Sequence, residues 1–417
     1  MFSARTEWPL TPNRLHQAVE KRRAASLPII DLTVSNPSQV GLRWPDPDGL
    51  RAALSRAEVL TYAPEPFGAI EARAALAGWF ADHGLSITPE RLCLTASTSE
   101  AYAFLFKLVC NPGDAVLIPA PSYPLFEYLA NLDEVAVVPY QLRYDGEWHV
   151  DQSSLDEALS HPDATPRAIV AIHPNNPTGQ YLKPSELDLL IDRCAHRGLA
   201  LISDEVFYEH SLSERAAPAP RAATRDECLV FSLGGLSKLA GLPQLKLAWI
   251  AASGPAAMLS SALARLEIIA DTFLSVSAPA QLALPYVLGG VDAFVARSKL
   301  RLHRNLLALD RALTAAPAAT RLRCEGGWNA MVRLPATRSS EDWAIQLLEQ
   351  QGVLVQPGYF YDLGAALSAD ASVVLSLLCE EEPFALGASG LGGALAGASA
   401  LGGALAGASG LGATARG

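Results

Sequence analysis

The chain has 417 residues, half of them hydrophobic and 18% charged, which predicts one very large globular domain or two to three ordinary ones. Its formal net charge of -11, with no cluster of lysine or arginine, argues against binding to nucleic acid. The first residues contain no apolar signal core, no apolar span predicts a membrane helix, and the six cysteines form no C-x-x-C pair. These patterns favour a cytoplasmic protein with reduced thiols, no metal site and no membrane contact.

Residues 1–50 are predicted to form an N-terminal arm. A helical pattern runs from Thr11 to Ala25, with Pro12 at its first position. A short apolar strand, Ile29 to Val34, follows, and then the turn-rich segment 35–38. This strand needs a partner, so we expect the arm to join a domain formed later in the chain.

Residues 51–285 are predicted to form a large α/β domain. Short apolar strands alternate with helical patterns such as Ala69 to His83 and Pro184 to His196. This alternation predicts a mostly parallel sheet of the seven-stranded type, covered by helices on both faces. The predicted strands are 91–95, 115–119, 134–139, 168–172, 199–203, 229–232 and 246–251.

The pattern changes in the last third of the chain. Residues 286–386 mix strands and a helix, which predicts a smaller α+β domain that recruits the N-terminal arm. In residues 387–417 a decapeptide of glycine, alanine, serine and leucine occurs twice, starting at Leu391 and at Leu401. A segment with so little bulk predicts a disordered tail; a shifted reading frame is the alternative explanation of its composition.

Two motifs at predicted strand ends are suited to a flat, anionic ligand. Ser97 and Thr98 follow a strand and open a helix, where free backbone N–H groups and hydroxyls can bind a phosphate. Tyr123 follows the next strand and can stack on a flat heterocycle. Each motif alone also fits an ordinary helix cap or a core tyrosine.

Three further polar residues lie at strand ends. Asn176, held between prolines in His-Pro-Asn-Asn-Pro-Thr-Gly, can donate a hydrogen bond to a phenolate oxygen. Asp204 follows a hydrophobic strand and needs a cationic partner, such as a pyridinium nitrogen. Lys238 lies between two apolar strands, where partial desolvation makes an amine nucleophilic toward aldehydes. Together these groups meet the requirements of pyridoxal 5'-phosphate, an electron sink bound as a Schiff base.

In combination the motifs resemble those of class I/II aminotransferases, which are fold-type I pyridoxal-phosphate enzymes, over roughly residues 28–385. The resemblance implies an enzyme that moves an amino group between a small-molecule amino acid and a keto acid through an internal aldimine on Lys238. It also implies that Asp204 pairs with the pyridine nitrogen, that Asn176 donates to the ring oxygen and that Tyr123 stacks on the ring. The phosphate would be held by Ser97, Thr98, Ser237 and Lys246. Tyr62 would reach the phosphate of a neighbouring subunit in a homodimer.

Several positions depart from the pattern of that family. Lys246 stands where the family has arginine, so this chain lacks the two-pronged guanidinium that binds a phosphate in a bidentate manner. Gly235 stands where the family has serine or threonine. Phe207 replaces a tyrosine that supports the ring oxygen, with Tyr208 one place along. Val374 occupies the position of the arginine that clamps the substrate carboxylate.

Another cation must therefore act as the clamp, or the substrate is not an ordinary α-amino acid. The substrate-binding candidates are Asn36 and Arg43 in the arm, with Arg333 as a further cation. Arg43 also fits a solvated surface residue. The acidic run Glu380 to Glu382 predicts weak activity with donors that carry a second carboxylate.

Three other functions are compatible with parts of the sequence. The same motifs serve β-elimination lyases, decarboxylases and cyclopropane-type synthases on this fold. A transcription regulator with an aminotransferase-like domain needs a DNA-binding module, for which residues 1–50 have neither the length nor the basic charge. An enzyme damaged near its C-terminus would explain the repetitive tail, although not Val374.

Overall fold

The structure is a computed structural model that describes residues 1–213, 219–362 and 371–409. Its strands are β1 (Ile30–Asp31), β2 (Leu92–Thr95), β3 (Ala115–Ala120), β4 (Ala136–Tyr144), β5 (Trp148–Val150), β6 (Pro166–Ile172), β7 (Ala200–Asp204), β8 (Val230–Gly235), β9 (Ala248–Ser253), β10 (Thr320–Arg321), β11 (Asn329–Arg333), β12 (Val353–Leu354), β13 (Gln356–Pro357) and β14 (Ser372–Ser376). Its helices are α1 (Arg14–Ala24), α2 (Pro47–Leu54), α3 (Ile70–Asp82), α4 (Thr98–Val109), α5 (Phe126–Leu132), α6 (Gln152–Leu159), α7 (Pro184–Arg197), α8 (Leu236–Leu239), α9 (Ala256–Phe273), α10 (Ala278–Leu313), α11 (Ser340–Gln351) and α12 (Glu381–Ser409).

The large domain is built on an eight-stranded sheet with the order β2-β9-β8-β7-β6-β3-β4-β5. The strands from β8 to β4 in this order pair in parallel, whereas β9 and β5 are antiparallel to their neighbours. The predicted α/β class is therefore confirmed. The strand that the sequence did not predict is β5, which returns along β4 after a turn at Gly146 (φ 115°). It is held by an edge-to-face contact between Trp148 and Tyr144, with ring centroids 5.2 Å apart.

The central strands are buried on both faces, as their continuous apolar sequences require. Strands β3, β7 and β8 have buried residues at every position. One apolar cluster, which includes Leu117, Ile169 and Leu201, covers one face, and a second, which includes Ile118 and Ile202, covers the other. Because β3, β6, β7 and β8 are parallel, their carboxyl ends meet at one edge of the sheet, where open α/β folds bind ligands.

The small domain combines both ends of the chain. Its antiparallel sheet has the order β10-β11-β14-β13, and the arm strand β1 pairs in parallel with β12. The arm is also bonded to the small sheet, because the Ser376 N–H donates to the Leu32 carbonyl at 2.7 Å. The proposed domain boundaries at residues 50, 285 and 386 remain a prediction. Helix α10 continues through Pro285 and across the proposed boundary at residue 285, with Leu284 and Val287 fully buried.

The segment after residue 387 is helical where we expected a disordered tail. Helix α12 continues to Ser409, and Ala388, Leu391 and Leu395 are buried against the apolar core of the small domain. The physical reason is the absence of a side chain at Gly392, which lets α12 approach α10 closely. A Cβ built on Gly392 would stand 2.3 Å from the carbonyl oxygen of Ala312. Residues 410–417 of the predicted tail lie outside the described residues.

One helix in the described part of the chain, α10, is long and apolar enough to cross a membrane by length and composition alone. It packs against α2, α3 and α12 within the fold. A core helix of a globular protein meets the same criterion, so this finding is weak evidence for a membrane span.

Candidate active site

A cavity of about 580 Å³ lies where the carboxyl edge of the large sheet meets the small domain. Residues from the strand ends β7 and β8, from the start of α4, from the arm and from the small sheet line it. Seven of the residues predicted from sequence are among them: Ser97, Thr98, Tyr123, Asn176, Asp204, Ser237 and Lys238. The structure therefore brings together most of the predicted cofactor-binding groups.

Lys238 projects into this cavity from the short helix α8. Leu236 and Leu239 on either side of it are buried and anchor the helix, which begins directly after β8. Its Nζ lies 4.9 Å from the ring centroid of Trp328 and 5.5 Å from that of Phe207. Burial lowers the pKa of the Lys238 amine, and the Asp204 carboxylate opposes that shift. The neutral amine is the form that attacks an aldehyde.

The structure explains why glycine precedes this helix. A Cβ on Gly235 would lie 2.9 Å from the Cβ of Ala248 on the neighbouring strand β9. A serine or threonine at position 235 would therefore clash with β9, so the hydroxyl that the family has there is sterically excluded in this chain.

Asp204 is buried at the end of β7. Its Oδ2 accepts a hydrogen bond from the Tyr102 hydroxyl at 3.0 Å, and its Oδ1 accepts one from the Val206 N–H at 3.1 Å. Burial raises the pKa of this carboxyl to about 6, against the lowering effect of these hydrogen bonds and of Lys238. A buried carboxylate with two neutral donors is suited to a cationic ligand such as a pyridinium nitrogen.

Ser97 and Thr98 form the start of α4. The Ser97 hydroxyl caps the helix by accepting from the Glu100 N–H at 3.1 Å, and Thr98 is the first helical residue. Ser99 also lines the cavity. The N–H groups of the first turn and the positive end of the helix dipole face an anion bound there.

Asn176 is held by a side chain that the sequence reasoning missed. Asn329 at the start of β11 donates from Nδ2 to the Asn176 Oδ1 at 2.6 Å. Because the oxygen of the Asn176 amide faces Asn329, its NH2 group is left to donate to a ligand. Tyr123 contributes its ring to the same cavity, and burial raises the pKa of its hydroxyl.

Four of the predicted residues, besides Arg333, do not line this cavity. Lys246 is exposed in a left-handed conformation (φ 50°) before β9. Tyr62 is 84% exposed and lines a separate depression of about 280 Å³ with Gln281. Asn36 uses its side-chain oxygen to accept from the backbone and hydroxyl of Ser38, and Arg43 is exposed on the arm. The arm instead contributes Thr33 and Ser35 to the cavity wall.

The other departures from the family pattern have clear structural settings. Phe207 lines the cavity, whereas the Tyr208 hydroxyl donates to the Ala219 carbonyl at 2.5 Å and faces elsewhere. Val374 is 1% exposed within β14 and packs with Met331 and Tyr361. Position 207 therefore offers the cavity no hydroxyl, and position 374 offers it no guanidinium.

The other charged residues singled out in the sequence also lie outside the cavity lining. Glu381 forms ion pairs with Arg301 and Arg304 on α10 at 3.4 and 3.1 Å, and none of the three consecutive glutamates lines the cavity. Arg333 lies over the Tyr144 ring at 5.6 Å and is likewise outside the cavity wall.

Sequence reasoning also missed Tyr102, Trp328 and Gln356 at the cavity wall. Tyr102 is four residues into the helix that Thr98 opens, so its position on the first turns was a usable signal. Trp328 and Gln356 come from short elements of the small domain, whose sheet register is not visible in the sequence. Within the described residues, no group of histidine, cysteine and acidic side chains is arranged to hold a metal ion.

The cavity fits pyridoxal phosphate by the chemistry of its donors. It presents an anion-binding helix start, an amine of lowered pKa, a buried carboxyl with neutral partners and an oriented amide donor. These groups match the phosphate, the aldehyde, the ring nitrogen and the ring oxygen of that cofactor.

Comparisons with known proteins agree with this assignment. Residues 28–370 match the profile of the family described as aminotransferase class I and II. The chain is 26% identical over 338 residues to the glutamate-pyruvate aminotransferase AlaA of Haemophilus influenzae, covering 79% of this chain and 82% of that protein. It is 26% identical over 361 residues to an alanine aminotransferase of Mycobacterium tuberculosis, covering 82% and 81% of the two chains.

The fold is also that of solved aminotransferase structures. The alanine aminotransferase of Pyrococcus furiosus superposes with a TM-score of 0.83 at 22% identity, covering 95% of this chain and 99% of that one. This likeness concerns the fold, whereas the family profile spans most of the chain. The chain therefore belongs to the class I and II aminotransferases and is a pyridoxal-phosphate-dependent aminotransferase.

Proposed function

We propose that this enzyme moves an amino group between a small-molecule amino acid and a keto acid, with Lys238 as the cofactor-attaching and proton-carrying residue. The single observation that carries the proposal is that Lys238 and Asp204 line the same cavity. Burial there lowers the pKa of the Lys238 amine and raises the pKa of the Asp204 carboxyl. When bound, pyridoxal phosphate supplies an electron sink for the bonds at the substrate carbon that bears the amine.

The other residues of the cavity bind the cofactor's phosphate and ring in this proposal. Ser97, Thr98 and Ser237 bind the phosphate from the start of α4 and from α8. Asp204 keeps the ring nitrogen protonated, and Asn176 donates to the ring oxygen through the amide face that Asn329 leaves free. The Lys238 amine would hold the cofactor by its aldehyde and, when free, would carry the proton at the substrate carbon.

Lys246 remains a proposed phosphate ligand. Its backbone lies two residues before Ala248, which lines the cavity, and its long side chain is exposed. A flexible ammonium group can act as a point charge on a phosphate but not as a bidentate clamp.

Covalent trapping tests the central assignment. Borohydride reduction of the cofactor-loaded protein, followed by peptide mass mapping, is expected to place a stable adduct on Lys238. The Lys238→Ala protein, treated in the same way, provides the control and is expected to carry no adduct. A label on another lysine, or none on the wild type, rejects the assignment.

A lyase or decarboxylase on the same fold is the second candidate. It is favoured by one relative, the S-alkyl-thiohydroximate lyase SUR1 of Arabidopsis thaliana, which is 28% identical over 253 residues covering 58% of this chain and 53% of that protein. The relatives covered over about four fifths of their length are aminotransferases, which supports transfer. Incubation with amino acids separates the two: transfer gives a keto acid and an aminated cofactor, whereas elimination from a substituted alanine gives pyruvate and ammonia.

We also propose that the enzyme is a cytoplasmic homodimer. The described cysteines are all free, which fits a reducing compartment. Tyr62 is exposed on the subunit surface and lines a depression together with Gln281. This exposure supports its predicted role at the phosphate of a neighbouring subunit.

A further inference from the structure

The small-domain wall of the cavity is one face of the antiparallel sheet. Asn329 on β11 lies opposite Ser376 on β14, and Gln356 on β13 lies opposite Val374 on the same strand. Residues opposite each other share a face, as do positions i and i+2 of one strand. These four side chains therefore project from a single face, and the two amides line the cavity.

None of these four side chains is charged, and Arg333, further along the same face of β11, lies over the Tyr144 ring and does not line the cavity. The four are two amides, a hydroxyl and a valine, and the Ser376 hydroxyl accepts from the Ser35 hydroxyl of the arm at 3.2 Å. Among the described residues that line the cavity, Lys238 is the single cation and Asp204 the single anion. Both are committed to the cofactor in the proposed function, so the described lining leaves no cation for the substrate.

The two amides are oriented as donors. The Tyr361 hydroxyl donates to Oε1 of Gln356, which leaves the Gln356 NH2 group without an acceptor in the described part of the chain. One N–H of Asn329 is used on Asn176, and the second remains. Such donors bind a carboxylate, a carboxamide oxygen or a hydroxyl, but they do not offset the desolvation of a full negative charge as a guanidinium does.

We propose that Gln356 and Asn329 bind the substituent on the amine-bearing carbon of the substrate through neutral amide donors, so that the enzyme accepts α-amino amides and amino alcohols alongside α-amino acids. The inference rests on the proposed function, since it concerns the substrate of the same site. With neutral donors, the site would discriminate weakly between a carboxylate and an uncharged group of the same size.

The test compares phenylalanine with phenylalaninamide as donors to the cofactor-loaded enzyme, with the rate of change of the bound cofactor's visible absorption as readout. The two values of kcat/KM are expected to agree within about tenfold, because neither group meets a cation. Gln356→Glu preserves an acceptor for Tyr361 and adds a negative charge to the wall. It is expected to lower the amino acid rate by about tenfold or more and the amide rate by much less.

The matched control is Gln350→Glu, the same change on the exposed surface of α11, which is expected to alter neither rate. A preference for phenylalanine above about a hundredfold, or an equal loss with both donors in Gln356→Glu, overturns the proposal. So does a selective loss of the amino acid reaction in Arg43→Ala or in Arg215→Ala, a residue outside the described part of the chain. If neither donor changes the absorption although borohydride labels Lys238, amino transfer itself fails and this inference with it.

Discussion

Asp204 shows how one buried residue links stability to cofactor binding. Its carboxyl is enclosed at the end of β7 with the Tyr102 hydroxyl and the Val206 N–H as partners. Burial raises its pKa from 3.8 to about 6, so the folded protein without cofactor binds this proton more tightly than the unfolded chain does. The stability of the cofactor-free protein that depends on this proton is present below about pH 4 and lost as the pH rises through about 6.

Replacing this carboxyl tests that dependence. Asp204→Asn carries no charge to bury, so the cofactor-free variant is expected to exceed the cofactor-free wild type in stability by about 1–2 kcal/mol near pH 8. The difference should disappear below about pH 4, where the wild-type carboxyl is protonated. Urea unfolding of both proteins at the two pH values measures it. Equal stabilities at both pH values would falsify the assigned pKa shift.

The Asn329–Asn176 pair predicts an effect of orientation on cofactor binding. In Asn329→Asp the side chain can no longer donate, so the Asn176 amide must turn its NH2 group toward the new carboxylate and its oxygen toward the cofactor. We expect the cofactor dissociation constant to rise about tenfold and the pH at which the bound cofactor's visible absorption changes to shift.

A double-mutant cycle with Asn176→Ala separates this effect from the added charge. Once the Asn176 amide is removed, Asn329→Asp has no partner to rotate, so its remaining effect should be much smaller. Additive effects of the two substitutions would show that Asn329 does not act through Asn176.

At the residue scale, the sequence predicted the groups that we propose to bind the cofactor better than the groups that orient them. Lys238, Asp204 and Asn176 follow strands in recognisable motifs, and the structure brings them to one cavity. The role of Asn329 could not be predicted, because it depends on β11 packing beside the end of β6. The two asparagines that form the contact are 153 positions apart in the sequence.

At the scale of elements, the packing of α12 against α10 is the main departure from the sequence-based expectation. Gly392, one of the glycines that suggested a disordered tail, is the residue that allows the two helix backbones to approach. Composition alone could not distinguish these cases, because the partner surface on α10 is far away in the sequence. The strand β5 was missed for a related reason: three residues are too few to give a period.

Two neighbouring glycines of α12 provide a matched test of this packing. A Cβ at Gly392 would meet the Ala312 carbonyl at 2.3 Å, whereas a Cβ at Gly393 would meet nothing within 4 Å. Gly392→Ala is therefore expected to lower the free energy of unfolding by about 1–3 kcal/mol. Gly393→Ala should raise it by up to about 1 kcal/mol through helix propensity.

Thermal unfolding of the two variants beside the wild type decides the matter. Opposite shifts of Tm support a docked helix. If both substitutions raise Tm to the same extent, or if neither changes it, α12 does not pack against α10 in solution.

At the scale of the whole molecule, several exposed apolar side chains support the proposed dimer. Leu60 is 90% and Ile268 is 71% exposed, and Tyr62 lies near Leu60 in sequence beside a depression lined in part by Ala270.

Charge substitution on this surface tests association. Leu60→Glu combined with Ile268→Glu is expected to halve the mass measured by light scattering, because two carboxylates would be buried against a partner. Leu307→Glu, at an exposed leucine of α10, is the control and should leave the mass unchanged. A dimeric double variant would place the interface elsewhere.

Subunit complementation tests the predicted role of Tyr62. Lys238→Ala and Tyr62→Ala should each be impaired alone. A hybrid dimer contains one site with both native residues if Tyr62 acts across the interface, so refolding the two variants together is expected to restore activity. Activity no higher than the sum of the separate variants would confine Tyr62 to its own subunit.

The attachment of the arm to the small domain has a mechanical consequence. Strand β1 is hydrogen-bonded to β12, the Leu32 carbonyl accepts from Ser376, and Thr33 and Ser35 are part of the cavity wall. A hinge movement of the small domain would thus carry the hydroxyls of the arm and the amides of Asn329 and Gln356 as one rigid unit. Lys238 and Asp204 would stay with the large domain. Opening would then widen the entrance for amines and also break the Asn329–Asn176 hydrogen bond, so the Asn176 amide is held in its orientation only while the small domain is closed.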